Sequence, residues 1–347
     1  MSLPELSDRE RKVLEAVIQS YVETAEPAGS RTLSRRFGLG VSPATIRNTM
    51  SDLEDKGFLF HPHTSAGRIP TDKGYRVYVD SLLRTKPVPS TIRDRMAEEI
   101  GAGGSAIDAI LRRAALTLGV LTQELGIALA PKLAATILER LELVRASADR
   151  LILVLTLRGG LMRTIFVDVK GEVAENAVGE VARVLNERLA GLSLEEIRSS
   201  LGSRLRDSTS ATDARELLNI FVQEGDQLFD LKVPIGDSAV VLGQPSLLAG
   251  QPEFASGQGM RELMALTETG QHLATFLGGR GAGNEISISI GSEHGDPRLG
   301  KFTVITSGYT AGGLSGVIGV IGPTRMPYEK VISLVRHTSQ LVGDLLE

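Results

Sequence analysis

The sequence predicts a multidomain α+β protein, with a winged helix-turn-helix module at its N-terminus, a sheet-bearing body, and a mainly helical segment interrupting that body. Three observations carry this expectation. Capped helical patterns, then a strand and a polar loop, fill the chain up to Leu82. Strand-like runs occur in two places, 141–169 and 285–321, with helical periodicity between them. The 347 residues exceed what one small core organises.

The first helix is announced by Ser7-Asp8-Arg9-Glu10, a capping box in which the serine accepts from the third helical amide and the glutamate reaches back. Leu14, Val17, Ile18 and Tyr21 recur at helical spacing, and Pro27 ends the pattern. Ser30 is expected to cap a second helix ending at Phe37-Gly38. Ser42-Pro43 opens a third, serine at the cap and proline where a missing N–H costs nothing, running to Gly57. The apolar stripe of this third helix is Ile46, Met50 and Leu53, which leaves Ala44, Thr45, Arg47, Asn48 and Ser51 on the other side. Phe58-Leu59-Phe60-His61 then reads as a strand, Pro62 to Pro70 as a tight basic loop, and Thr71-Asp72 as the cap of a helix carrying Tyr75, Tyr78, Val79 and Leu82.

That module has the plan by which proteins read DNA. Arg47 suits guanine or phosphate, Asn48 adenine, and the Ala44 and Thr45 methyl groups a thymine methyl. Arg68 beside a glycine suits a minor groove or phosphates, and Arg31, Ser42, Ser51, His63, Thr64 and Ser65 add donors. A polar solvated helix face would present the same third helix, and it is the loop that favours DNA. Net charge is −4, yet the stretch from Pro27 to Arg76 holds 8 basic against 4 acidic residues, a local excess that fits a nucleic-acid module on an acidic body.

Composition excludes several classes. Without cysteine there is no disulfide, thiolate zinc site, iron–sulfur cluster or thiol nucleophile. His61 and His63 lie two apart on a strand but lack an evident third ligand, so no metal and no cofactor are expected. Met1 to Lys12 is polar, and apolar runs such as Leu151 to Leu157 are too short for a bilayer, so a cytoplasmic, nucleoid-associated protein is expected. The glycine cluster at 278–283 lacks the lysine and hydroxyl of a phosphate loop and precedes a strand. Ser315 has no nucleophile-elbow setting, and His272, His294 and His337 stand near no evident nucleophile, so catalysis is not expected.

Three segments strongly resemble the bacterial heat-inducible transcription repressor HrcA family: Ser42 to Asn48, Pro62 to Thr71, and Gly74-Tyr75-Arg76. Ile321-Gly322-Pro323-Thr324-Arg325-Met326 is similar to that family's C-terminal signature. The likeness runs the length of the chain and is loose only in the centre. It implies a GAF-like sheet domain split by an inserted dimerisation domain. The expected arrangement is therefore a DNA-binding domain at 1–86, a discontinuous GAF-like domain at 90–170 and 282–347, and a dimerisation domain at 171–281. It also implies a homodimer on double-stranded DNA at an inverted repeat, the controlling inverted repeat of chaperone expression, upstream of groE- and dnaK-type operons. Activity would be supported by the chaperonin GroEL and lost on heat shock.

Within the body, Lys86-Pro87-Val88-Pro89 reads as a linker and 92–125 as helical with a break at Gly101 to Gly104. Strands follow at 141–146, 151–157 and 162–169, the last two flanking Arg158-Gly159-Gly160. Helical faces run through Val181, Val184, Leu185 and Leu189, then Leu217 to Val222, then Met260 to Leu277. Strands return at 285–290, 302–306 and 316–321, and Val331, Val335, Leu341 and Leu345 line a final helix. Those helical faces serve equally as internal core or as a dimer interface, and only the resemblance favours the second. Two other readings stay open: a small-molecule-responsive regulator with the GAF-like domain as sensor, and an interaction scaffold that needs no exposed Arg47, Asn48 or Arg68.

Overall fold

A computed structural model describes residues 6–63, 67–102, 107–131, 136–147, 149–158, 161–169, 174–206, 212–228, 240–268, 270–278, 280, 285–311 and 314–346. Helix α1 (Asp8–Thr24) starts on the complete capping box of Ser7 and Glu10 and ends at Ala25 in the left-handed region. Helix α2 (Ser30–Phe37) differs from expectation at its start: Gly29 holds the cap position and Ser30 is the first helical residue, buried. Helix α3 (Pro43–Asp55) follows the Ser42 cap, and α4 (Asp72–Val77) follows Thr71, whose hydroxyl accepts from the Gly74 amide. Between them β1 (Leu59–Phe60) pairs antiparallel with β2 (Ile69–Pro70). The chain continues from α4 through a π-helical turn, Tyr78–Leu82, into the extended linker.

Five strands form the larger sheet in the order β7-β3-β10-β9-β8, all neighbours antiparallel. They are β3 (Leu125–Leu129), β7 (Val240–Leu242), β8 (Ile286–Ile290), β9 (Phe302–Ala311) and β10 (Leu314–Pro323). One face packs through Ala128, Ile305, Ile318 and Val320 against α6 (Ile107–Thr122) and α13 (Tyr328–Leu346), and α5 (Ser90–Gly101) packs on those two helices. Leu125, Ile127, Val304 and Val317 point the other way, to a second core with α10 (Ser246–Ala249), α11 (Gly257–Glu268) and α12 (Gly270–Gly278).

The excursion between β3 and β7 corrects the sequence expectation. Strands β4 (Leu138–Arg145), β5 (Arg150–Leu157) and β6 (Leu161–Asp168) do not join the larger sheet. They make a separate antiparallel sheet, β4-β5-β6, packed on α7 (Glu175–Leu189) with α8 (Leu194–Leu205) and α9 (Thr212–Leu228) alongside. The interruption therefore begins before β4, not near 171. It also ends before β7, since α10 to α12 belong to the larger sheet. The physical reason is local: alternation buries Leu151, Leu153, Leu155 and Leu157 on one face and says nothing of which helices cover it. The Asn186 side chain on α7 closes the edge of β4, accepting from the Leu141 amide at 2.8 Å and donating to its carbonyl at 2.6 Å. The Gly159-Gly160 turn and the 281–283 glycines lie outside the described residues.

The N-terminal module sits on the body through named contacts. Arg76 of α4 binds Glu293 through both nitrogens of its fork and donates to the Ile288 carbonyl at 2.8 Å. The amide and hydroxyl of Ser292 both donate to Asp72 at 2.9 Å. Arg325 grips Glu253 at 2.6 and 3.0 Å and donates to the Val22 carbonyl of α1 at 2.9 Å. Tyr75 and Tyr78 lie against Tyr328, with ring centroids 5.6 and 6.4 Å apart. Of the four segments that carried the family likeness, Gly74-Tyr75-Arg76 and the C-terminal block around Arg325 thus lie side by side here.

Candidate nucleic-acid interface

Helix α3 divides cleanly. Ile46, Thr49, Met50 and Leu53 are buried against α1 and α2, which fixes the rotation of the helix. Ala44, Arg47, Asn48 and Ser51, at positions i, i+3, i+4 and i+7, are exposed together on the opposite face. Among the described residues neither Arg47 nor Arg31, which is exposed on α2, has an ion-pair partner. The body touches α1, α4 and the π-helical turn, so this face is not covered by it.

Ser42 and Thr45 are already engaged at the helix start. The Thr45 amide donates to Ser42 Oγ at 3.1 Å and the two hydroxyls lie 3.0 Å apart, so these residues order the first turn while only their outer surfaces face solvent.

The β1–β2 hairpin flanks α3. His63 is exposed, and Thr64 and Ser65 lie outside the described residues. Arg68 is placed otherwise than the sequence suggests. Its backbone bridges Ala28, donating at 3.0 Å and accepting at 2.9 Å, and its guanidinium lies 2.7 Å from Glu54 of α3, with the side chain 18% exposed. Gly67 is required for that bridge: a Cβ there would lie 2.3 Å from the Ala28 carbonyl oxygen. In the same way a Cβ on Gly74 would lie 2.3 Å from the Phe58 carbonyl, so two glycines of the family-like segments are explained by backbone contact.

Glu54 is the residue that sequence reading missed. The last turn of α3 holds acids and no base, an arrangement the helix dipole disfavours unless a cation comes from elsewhere. That was the available signal for a partner, and the hairpin supplies Arg68. Arg76 and Arg325 were legible as members of the family-like segments and Asp72 as part of a helix start, but not as junction contacts, because Glu293, Val22 and Ser292, which they meet across the junction, lie more than two hundred residues away in sequence.

One buried acid lies behind the junction. Glu124 is 2% exposed and accepts from Gln251 at 3.1 Å, in a group that includes Glu253 and Arg325. Burial pushes its carboxyl up to about 8, against the opposing pull of Gln251 and Arg325. Among the described residues there is no cluster of three or more metal-ligating side chains, and no helix is long and apolar enough to cross a membrane.

Residues 108–332 match the family model described as the HrcA protein C terminal domain. The heat-inducible transcription repressor HrcA of Chlorobium phaeobacteroides strain BS1 is 40% identical, with 100% of both chains covered. The protein of the same name from Geobacter sulfurreducens is 36% identical, covering 99% of each. A crystal structure of a hypothetical protein at 2.2 Å resolution shares the fold, with a TM-score of 0.68 over 99% of both chains at 22% identity.

Proposed function

Because the chain belongs to the HrcA family of heat-inducible transcription repressors, we propose that it represses chaperone genes by binding an inverted-repeat operator as a homodimer. The observation that carries this reading is the exposed α3 face of Ala44, Arg47, Asn48 and Ser51 beside the β1–β2 hairpin. In this reading residues 6–82 act as a winged helix: α3 enters the major groove, where Asn48 and Arg47 read base edges, and the hairpin acts as the wing. Arg31 and His63 contact the backbone. On binding, Arg68 exchanges the Glu54 carboxylate for a phosphate oxygen.

The five-stranded sheet with its two helical layers takes the part of the GAF-like domain. Dimerisation falls to the excursion between β3 and β7, and its sheet is the better candidate than its helices. Helix α7 covers one face of that sheet; the other exposes Val144, Met162 and Phe166, at 50%, 66% and 63%, on its outer strands. Exposed apolar side chains grouped on one face mark an association surface, and a twofold axis through it presents two recognition helices to two half-sites. Support by the chaperonin GroEL rests on the family likeness. Chaperonin binding that favours the DNA-competent form raises its population, and diversion of chaperonin by heat reverses this.

Fluorescence-anisotropy titration of an inverted-repeat duplex and a scrambled duplex, at fixed salt, with and without chaperonin, tests the reading. Repeat-dependent binding increased by chaperonin supports it. Equal binding of both duplexes by folded dimer refutes it.

A further inference from the structure

At the seam between the N-terminal module and the body lies a cavity of about 470 Å³, a size typical of small-molecule sites, which favour such junctions. Its walls come from both sides: Val22 of α1 and Tyr78 from the module, Val88 and Ile92 from the linker and α5, Met326 and Leu334 from the body. The frame is fixed. Arg325 holds the Val22 carbonyl, and the Ser333 hydroxyl donates to the Lys86 carbonyl at 2.7 Å, tying the linker to α13.

The rim is charged. Glu23 is paired with Arg36 and Glu329 with Lys86, so both acids are compensated. Lys330 also lines the cavity and has no ion-pair partner among the described residues. An apolar floor beneath one uncompensated ammonium group fits an apolar anion.

We propose that this cavity is a small-molecule site for a compact apolar acid, its body on the Val22 to Leu334 floor and its anionic group at Lys330. An occupant touching both sides stabilises the docked orientation of the module, since a ligand shifts an equilibrium toward the state it contacts best. The site stands apart from the repressor reading, whereas its effect on operator affinity rests on that reading.

The test uses the full-length chain and 1-anilinonaphthalene-8-sulfonate, an aromatic sulfonate, as probe. Saturable binding of one probe per chain is expected. Filling the cavity with Val88→Trp should weaken it by at least about tenfold, and Lys330→Glu by about fivefold at low salt. Met264→Glu, at an exposed apolar position on α11 away from both the cavity and the sheet face, should leave the affinity unchanged. Trypsin cleavage after Arg84, exposed in the linker, should slow in wild type when probe is present and not in Val88→Trp. Wild-type affinity in both cavity variants, or loss of signal in Met264→Glu alone, overturns the site. Protection of the linker with unchanged operator affinity overturns the coupling to DNA. Failure to bind operator with or without probe overturns the repressor reading and not the site.

Discussion

Single side chains in this protein do separable jobs. Asn48 is exposed on α3; if it reads a base edge as proposed, Asn48→Ala is expected to lose discrimination between operator and mismatched repeats by about 1 to 3 kcal/mol, with little change in binding to random DNA. Competition titrations read this, and equal losses on both DNAs would assign Asn48 to the backbone instead. Arg68 is held by Glu54, and in the proposed complex a phosphate competes for the same guanidinium. Glu54→Gln should therefore strengthen binding, while Arg68→Ala should weaken it and flatten the salt dependence by about one unit of log–log slope; identical slopes in wild type and Arg68→Ala would remove Arg68 from the interface. At Glu124 the folded chain favours the protonated acid. Its stabilising contribution is complete below the ordinary carboxylate titration near 4.5 and is lost as pH rises to about 8. Denaturant unfolding of wild type should lose on the order of a few kcal/mol across that window, and Glu124→Gln, which cannot ionise, should give a flatter profile.

At the scale of elements, caps and coverage decide what forms. The Ser42 hydroxyl holds the first turn of the helix that carries Ala44, Arg47 and Asn48. Ser42→Ala should cost about 1 kcal/mol, visible as faster hydrogen exchange at the Thr45 amide and as weaker operator binding; unchanged exchange would show that Pro43 and packing suffice. Helices with such chemical starts were legible in the sequence: α1, α3 and α4 begin where Ser7, Ser42 and Thr71 say they should. Strand β3 was not legible. All five of its residues are buried, because helices cover the larger sheet on both faces. Leu125-Gly126-Ile127-Ala128-Leu129 therefore shows no alternation, and beyond Leu125, where the expected helical region ends, it carries no pattern to read. The three-residue β7 is shorter than any pattern can register.

The whole molecule combines a docked N-terminal module, a two-sided sheet domain, and an excursion with an apolar face turned outward. If that face joins two copies, Phe166→Glu should convert dimer to monomer in sedimentation velocity at micromolar concentration, without loss of helical content. Operator affinity should fall with it, since each half-site contact is then made alone. A dimer that persists in Phe166→Glu would move the interface to the helices α7 to α9. Arg76–Glu293, Asp72–Ser292 and Arg325–Val22 hold the N-terminal module on the body, so in the proposed dimer the distance between the two copies of α3 is set by these contacts as much as by the interface.

The sequence by itself determined what depends on near neighbours: the helix starts at Ser7, Ser42 and Thr71, the apolar stripe that leaves Arg47 and Asn48 outside, the strand and loop after α3, and the family to which Pro62 to Thr71 and Ile321 to Met326 point. Capping and amphipathic periodicity act over a few residues, and a single chain displays them openly. Only the tertiary structure decided that β4 to β6 form their own sheet, that Arg68 is paired with Glu54, and that the Gly74-Tyr75-Arg76 segment docks beside the Arg325 block. Those outcomes depend on which buried face or charge finds which partner across long stretches of chain. An alternating strand or a lone arginine carries no mark of that partner, because burial and ion pairing reward any complementary surface that the fold brings within reach.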